Sequence, residues 1–543
     1  MRRPGGEHGR RIYCACFWAV LTGAIGSPGL AFEPAPAAAQ YFRIRVVDDL
    51  SGRGVPLVEL KTVDNVKYYS DSAGLVAFYE PAQMDREVFF YVASHGYEMP
   101  ADGFGIRGKM LTTRPGAEGE IRIQRLNLAE RMYRVTGAGI YRDTVLAGEQ
   151  APIAEPLLNA QVVGSDSVQA VVYRGELRWF WGDTNRPKYP LGNFHVPGAS
   201  SKLPADGGLD PAVGVNLKYL VNDEGFARAT CQMEGEGPTW IDALTVVPAQ
   251  DGSEQMFAAY MKVRKFLEVY RRGIARWDDQ QQKFIHVADL PLEAVAMPHG
   301  HALRHREDGQ KGKPVEYVYF GNPFPLTRVP ATAAAIVDLA SYQNFTCLRK
   351  GVQLSAQQQE RGDVAPGQFD RDTQGKLVYG WKSATSLVDH RLEHRLRSSG
   401  KLKANEGILK LVDAVTGKPI QAHAGSVSWN DWRQRFVMIF NQQEGKTSNL
   451  GEVWYAEAES LVGPWSAAHQ VVSHDKYSFY NPRQHPYFAG DRGRVIYFEG
   501  TYSTFFAGNS EQTPRYDYNQ IMYRLDLSAP RLGLKPVVKT AAP

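Results

Sequence analysis

Cysteine is scarce in this chain, with four residues in 543. Cys14 and Cys16 fall within the first 39 residues and lack the preceding apolar stretch of a lipid-modified cysteine. That leaves Cys231 and Cys347, enough for one disulfide in an oxidising compartment, at a sequence separation that says nothing about distance in space. An excess of one charge sign is also missing. Charged residues make up 22% of the chain and the formal net charge is +4, with Lys and Arg interspersed among Asp and Glu. This pattern holds no nucleic-acid-binding tract and no basic membrane-surface helix. The apolar run from Ile12 to Ile25 is about 14 residues, short of the roughly 20 that cross a bilayer as a helix. It follows Arg2, Arg3, Arg10 and Arg11 and precedes Ala37 to Ala39, the order of a secretory signal peptide. Residues 1–39 are therefore read as a signal cleaved after Ala31 or Ala39. The mature chain is expected to be secreted or periplasmic, with no stable membrane span.

What the sequence does contain is aromatic and β-rich, and too long for one core, so at least two domains are expected. From 41 to 128, short alternating strands such as Tyr41 to Val47, Val88 to Val92 and Ile121 to Ile123 are divided by Gly and Asp turns, which predicts a small β-sandwich. Its Asp48 to Pro56 turn, Ser72-Ala73-Gly74 and Val76 to Phe78 resemble prealbumin-like, immunoglobulin-like or carboxypeptidase-regulatory modules. Such a resemblance implies positioning or binding rather than catalysis. A linker-like stretch, Ala147 to Pro156, follows.

Over 157–530 the pattern repeats five times. Each segment joins two alternating apolar strands through a turn: Ser167 to Trp181, Ala243 to Val263, His299 to Leu303 with Val315 to Phe320, Ser426 to Phe440, and Val495 to Tyr502. A period of roughly 60 to 75 residues suits four-stranded blades, so the expected fold is all-β, a five-bladed β-propeller behind the sandwich. One longer interval holds an insertion at about 343–420, with helices predicted around Ser386 to Leu396 and Glu406 to Leu411 and a place over one face of the propeller.

Propellers gather reactive groups where the inner strand of each blade meets the central channel. The five segments open on Gly164-Ser165-Asp166, Trp240-Ile241-Asp242, His299-Gly300-His301, His423-Ala424-Gly425, and Asn481 with His485. Glycoside cleavage needs a proton donor and an ionised carboxylate. Asp166 is the preferred base or nucleophile, Asp183 or Asp242 the second carboxylate, and Glu499 a further candidate. The bland reading of Asp183 is a turn residue, and of Glu499 a hydrogen-bonded strand-edge group. His299, His301, His423 and His485 are candidates for orienting a carboxylate or binding sugar hydroxyls, with Asn481 beside them. They carry no metal-ligand signature, so no residue is assigned to a metal, although the architecture admits a structural Ca²⁺ in the channel. Trp240 and Tyr480 are the aromatic residues placed to meet a sugar ring.

The pairing of Gly164-Ser165-Asp166 with Phe180-Trp181-Gly182-Asp183-Thr184, together with Gly451 to Tyr455, Gly463-Pro464-Trp465 and Tyr516 to Asn519, resembles the five-bladed propeller family that includes bacterial endo-D-arabinanases. The likeness runs from Gly164 to Leu527 and extends to exported bacterial proteins of this architecture without an assigned activity. It implies a glycoside hydrolase in which Asp166 and Asp183 take part. The insertion and the segment Tyr477 to Pro486 depart from that pattern and leave the sugar open. The rival expectation is a non-catalytic glycan-binding or cell-surface scaffold protein gripping a polysaccharide with the same channel. A third is a metal-dependent lyase or hydrolase built on the histidines.

Overall fold

The computed structural model describes residues 40–308 and 313–535; the signal segment read at 1–39 lies outside them. The chain is mostly strand, with few and short helices. Two four-stranded sheets form first. One carries Phe42–Asp48 between Leu75–Phe78 and Glu118–Arg125; the other is built on Glu59–Thr62 and Arg86–Ala93. Alternation decides which side chains share their core. Phe42, Ile44 and Val46 from one sheet meet Leu60, Phe90 and Val92 from the other, while Arg43 and Arg45 face outward onto Glu118.

Six further sheets follow: a small three-stranded one of Gly164–Ser165, Thr184–Arg186 and Tyr189–Asn193, and five larger ones, numbered I to V in chain order and antiparallel except for one edge strand of IV. Their inner strands are Gln169–Tyr173, Thr239–Pro248, His301–Asp308, Ala422–Asn430 and Ser478–Gln484. One apolar cluster fills each gap between consecutive sheets: Phe180 with Met256 between I and II, Ile274 with Val318 between II and III, Tyr319 with Met438 between III and IV, and Ile439 with Phe498 between IV and V. A fifth cluster joins V back to I, with Met522 and Tyr497 against Leu177 and Trp179, so the five sheets close into a ring.

Sheet V is completed by a strand from the other end of the chain. Glu130–Arg134 pairs antiparallel with Asn519–Asp526, and all five of its residues are buried. This strand lies outside the 157–530 range read from sequence, because five residues without a turn signal look like the tail of the preceding module. Arg131 also ties the two regions together, donating to the carbonyls of Pro56 and His95, each at 3.0 Å.

The insertion keeps the first of its two predicted helices and departs from its reading elsewhere. Gln343–Thr346 and Gly380–Ser383 extend sheet III, and a helix forms at His390–Ser398. The second predicted helix is instead a strand, Leu409–Asp413, parallel to Trp465–Val472 on sheet IV. Its Leu409 and Leu411 are buried against that sheet, and this tertiary burial overrides the local helical pattern. Cys231 and Cys347 are both free and buried: one packs with Phe180 and Trp277, the other with Leu392 and Leu396. The one disulfide admitted by the sequence is not formed.

Candidate functional site

The inner strands of sheets II, IV and V each break register near their start: between Asp242 and Thr245, between Ala422 and Gly425, and between Tyr480 and Arg483. Such bulges bend a strand and re-aim its side chains. Left-handed backbone recurs at the same phase, at Ser167 (φ 52°), Ala243 (φ 53°), Gly300 (φ 68°) and Asn481 (φ 51°). Each directly follows a candidate or aromatic residue: Asp166, Asp242, His299 and Tyr480. Non-glycine residues in this conformation are costly, and the cost recurs where the strands turn their first side chains toward one another.

These starts surround a cavity of about 450 Å³. Asp166, Asp242, Trp240, His301, His423, Tyr480 and Asn481 all line it, and its only acidic side chains are Asp166 and Asp242. No Lys or Arg lines it; the remaining polar lining is neutral, including Gln169, Asn322, Gln443 and Asn449.

Asp166 is held from three sides. The Tyr480 hydroxyl donates to its Oδ2 at 3.1 Å, its backbone carbonyl accepts from Gly182 N–H at 2.8 Å, and its Oδ1 lies over Gly182, where a Cβ would come within 2.1 Å. Glycine at 182 is thus required by the carboxyl itself. Burial, aided by the neighbouring Asp183 carboxylate, pushes the Asp166 carboxyl up to about 7 against the opposing pull of the Tyr480 and Tyr518 hydroxyls. Burial raises Asp183 to about 6. Asp183 does not line the cavity; its Oδ1 accepts from Trp240 Nε1 at 2.9 Å and so fixes the indole against the cavity wall. Asp242 is also raised by burial, while the Gly300 N–H at 2.9 Å and the nearby His299 and Arg272 favour its ionised form.

Besides Asp183, three further candidates lie off the cavity wall: Glu499, His485 and His299. Glu499 and His485 are fully buried, with His485 Nε2 2.9 Å from Glu499 Oε1 and the imidazole packed on Trp179. Neither reaches the cavity: beyond the bulge in Ser478–Gln484 the side chains change face, and His485 points between sheets V and I. His299 bonds the Met297 carbonyl at 3.1 Å beside Asp242, while its neighbours Gly300 and His301 form the wall. Tyr480 is buried, its ring edge-on to Phe506 and its hydroxyl on Asp166, so it holds the carboxyl rather than offering a flat face to a sugar. Asn481 donates to Ser167 Oγ at 2.7 Å, joining sheets V and I at the rim.

Arg483 was not singled out in the sequence. Buried, it reaches from sheet V to Gln169 Oε1 (3.0 Å) and the Ala170 carbonyl of sheet I and to His301 Nδ1 (2.8 Å) of sheet III. Burial and this guanidinium hold His301 neutral. A guanidinium thus sits among these inner strands and takes up a histidine nitrogen. Among the described residues no group of three or more His, Cys, Asp or Glu is arranged to hold a metal ion. Its only sequence signal was an arginine within an otherwise buried strand. None of the residues lining the cavity comes from the 343–420 insertion, which therefore does not plug or cover it.

No protein-family model and no curated protein matches the chain. Among solved structures it is similar to an exo-β-1,3-galactanase from Phanerochaete chrysosporium with galactose, at 8% identity and a TM-score of 0.34 over 74% of this chain and 66% of that one. It is also similar to the GH43_1 enzyme from Xanthomonas citri complexed with xylotriose, at 10% identity and a TM-score of 0.31 over 66% of this chain and 86% of that one. A third is an exo-β-1,3-galactanase from Clostridium thermocellum, at 11% identity and a TM-score of 0.30 over 66% and 58% of the two chains.

Proposed function

We propose that this chain is an extracytoplasmic glycoside hydrolase acting on a polysaccharide or oligosaccharide, built as a five-bladed β-propeller behind a β-sandwich. The observation that carries the reading is a cavity with two carboxyl groups as its only charged side chains, one of them titrating near neutrality. Glycoside cleavage asks for a carboxylate that activates water or attacks the anomeric carbon and for a proton on the leaving oxygen. Asp166 suits the first role. The Tyr480 donor favours its ionised form, and burial beside Asp183 makes it more basic than an ordinary carboxylate. Asp242, raised by burial, suits the second. Trp240, fixed by Asp183, offers an apolar face to a sugar ring, and the neutral amides and imidazoles suit hydroxyl groups. The arginine, apolar and alanine order of the first 39 residues supports export.

The test is release of reducing ends from a panel of plant, algal and bacterial polysaccharides, including arabinans and galactans, by the mature protein and by Asp166→Asn. The variant is expected to lose about a thousandfold or more in rate at an unchanged thermal midpoint. Full release by the variant would overturn the assignment of Asp166. No release by either protein, with one polysaccharide still captured, would favour the glycan-binding alternative.

A further inference from the structure

The helix His390–Ser398 carries a second site of opposite electrostatic character. It walls a cavity of about 360 Å³ with Arg391, Arg395, Arg397, His390 and His394, and no Asp or Glu lines that cavity. A basic helix face is ordinarily just a solvated surface. Here the charge is turned onto an apolar floor that includes Phe324, Leu411 and Ile420.

Two of the arginines have no ion-pair partner among the described residues. Arg397 pairs with Glu393, whose carboxylate is buried and also accepts from the Ile408 and Leu409 N–H groups. Arg391 and Arg395 make no salt bridge among the described residues, and Arg395 Nε is buried without a hydrogen-bond partner. His390 is held neutral by burial and donates Nε2–H to the Ala422 carbonyl at 2.8 Å.

This groove adjoins the first cavity. Gln421 and Ala422 line it, while the next residue, His423, lines the first; Arg391 donates to Gln443 Oε1 at 3.4 Å, and Gln443 lines the first cavity as well. The two sites thereby lie side by side at the start of Ala422–Asn430, one lined by no Lys or Arg and the other by no Asp or Glu.

We propose that the helix groove is a binding site for an acidic saccharide unit, its carboxylate or sulfate held by Arg391 and Arg395 and its ring laid on the apolar floor, next to the uncharged part of the ligand in the first cavity. Guanidinium groups suit such anions because they present paired N–H donors in one plane. That the ligand is a saccharide rests on the hydrolase reading; the anion site itself does not. Isothermal titration of the full mature chain with trigalacturonate, and with a neutral galacto-trisaccharide as comparator, tests it. Arg391→Gln/Arg395→Gln should bind trigalacturonate about tenfold or more weakly, with the neutral trisaccharide unchanged, and added salt should weaken only the acidic ligand. Arg391→Lys/Arg395→Lys, which keeps both charges, should retain part of the affinity and so exclude simple misfolding. Equal binding by wild type and Gln variant, no binding by either, or uptake of octyl sulfate without trigalacturonate overturns the proposal. Because the readout is binding, trigalacturonate held through these arginines without cleavage of any glycan would uphold this site and count against the hydrolase.

Discussion

Asp166 sits under opposing influences: burial and Asp183 raise its carboxyl, and the Tyr480 and Tyr518 hydroxyls lower it. A base must be ionised to act, so kcat/KM is expected to rise with pH through about 7, the value at which Asp166 loses its proton. Two substitutions should move that limb in opposite directions. Asp183→Asn removes a negative neighbour and shifts it toward acid, whereas Tyr480→Phe removes a donor and shifts it toward alkali, with about three- to tenfold lower activity near pH 6. A pH–rate profile of both variants checks the pair, and a shared direction would remove Asp166 from the role of base. Asp166, Asp242 and Trp240 were legible in the sequence because they recur at the opening of successive alternating segments. His485 shares the motif but not the geometry, since it follows a bulge between Tyr480 and Arg483, and Glu499, on the neighbouring strand Val495–Ser503, is buried against it.

At the scale of elements, the strand Glu130–Arg134 matters out of proportion to its length. Without it, Asn519–Asp526 becomes an open edge of a largely buried sheet, a template for aggregation. A chain beginning at residue 128 keeps this strand, and one beginning at 136 does not. The shorter chain is expected to melt on the order of 10 °C lower or to aggregate, as read by scanning calorimetry and size-exclusion chromatography. Equal behaviour would mean that the apolar cluster joining sheets V and I closes the ring unaided. Nothing in the sequence marks this strand as belonging to a partner nearly 400 residues away, because pairing at that distance leaves no local pattern.

For the whole molecule, Arg483 links sheets I, III and V at their inner strands. Arg483→Met should strand Gln169, the Ala170 carbonyl and His301 without their donor, at a cost of about 3 kcal/mol in urea stability. Activity should fall as well, because Gln169 and His301 line the cavity. A stable but inactive variant would make the arginine a positioning residue alone, and an unaffected protein would show that water replaces it without loss.

Alternation and turn residues, which act over a few positions, by themselves determined the mostly-strand character, the first sheet pair, the five repeated segments and the places where Asp166, Asp242 and Trp240 open them. Only the tertiary structure decided which of these side chains meet. Ring closure by Glu130–Arg134, the bulges that aim each strand start, the guanidinium of Arg483 and the burial that shifts Asp166 all depend on contacts between residues far apart in the chain. Local sequence constrains backbone conformation; the proximity and dielectric environment of two groups exist only once the sheets have packed.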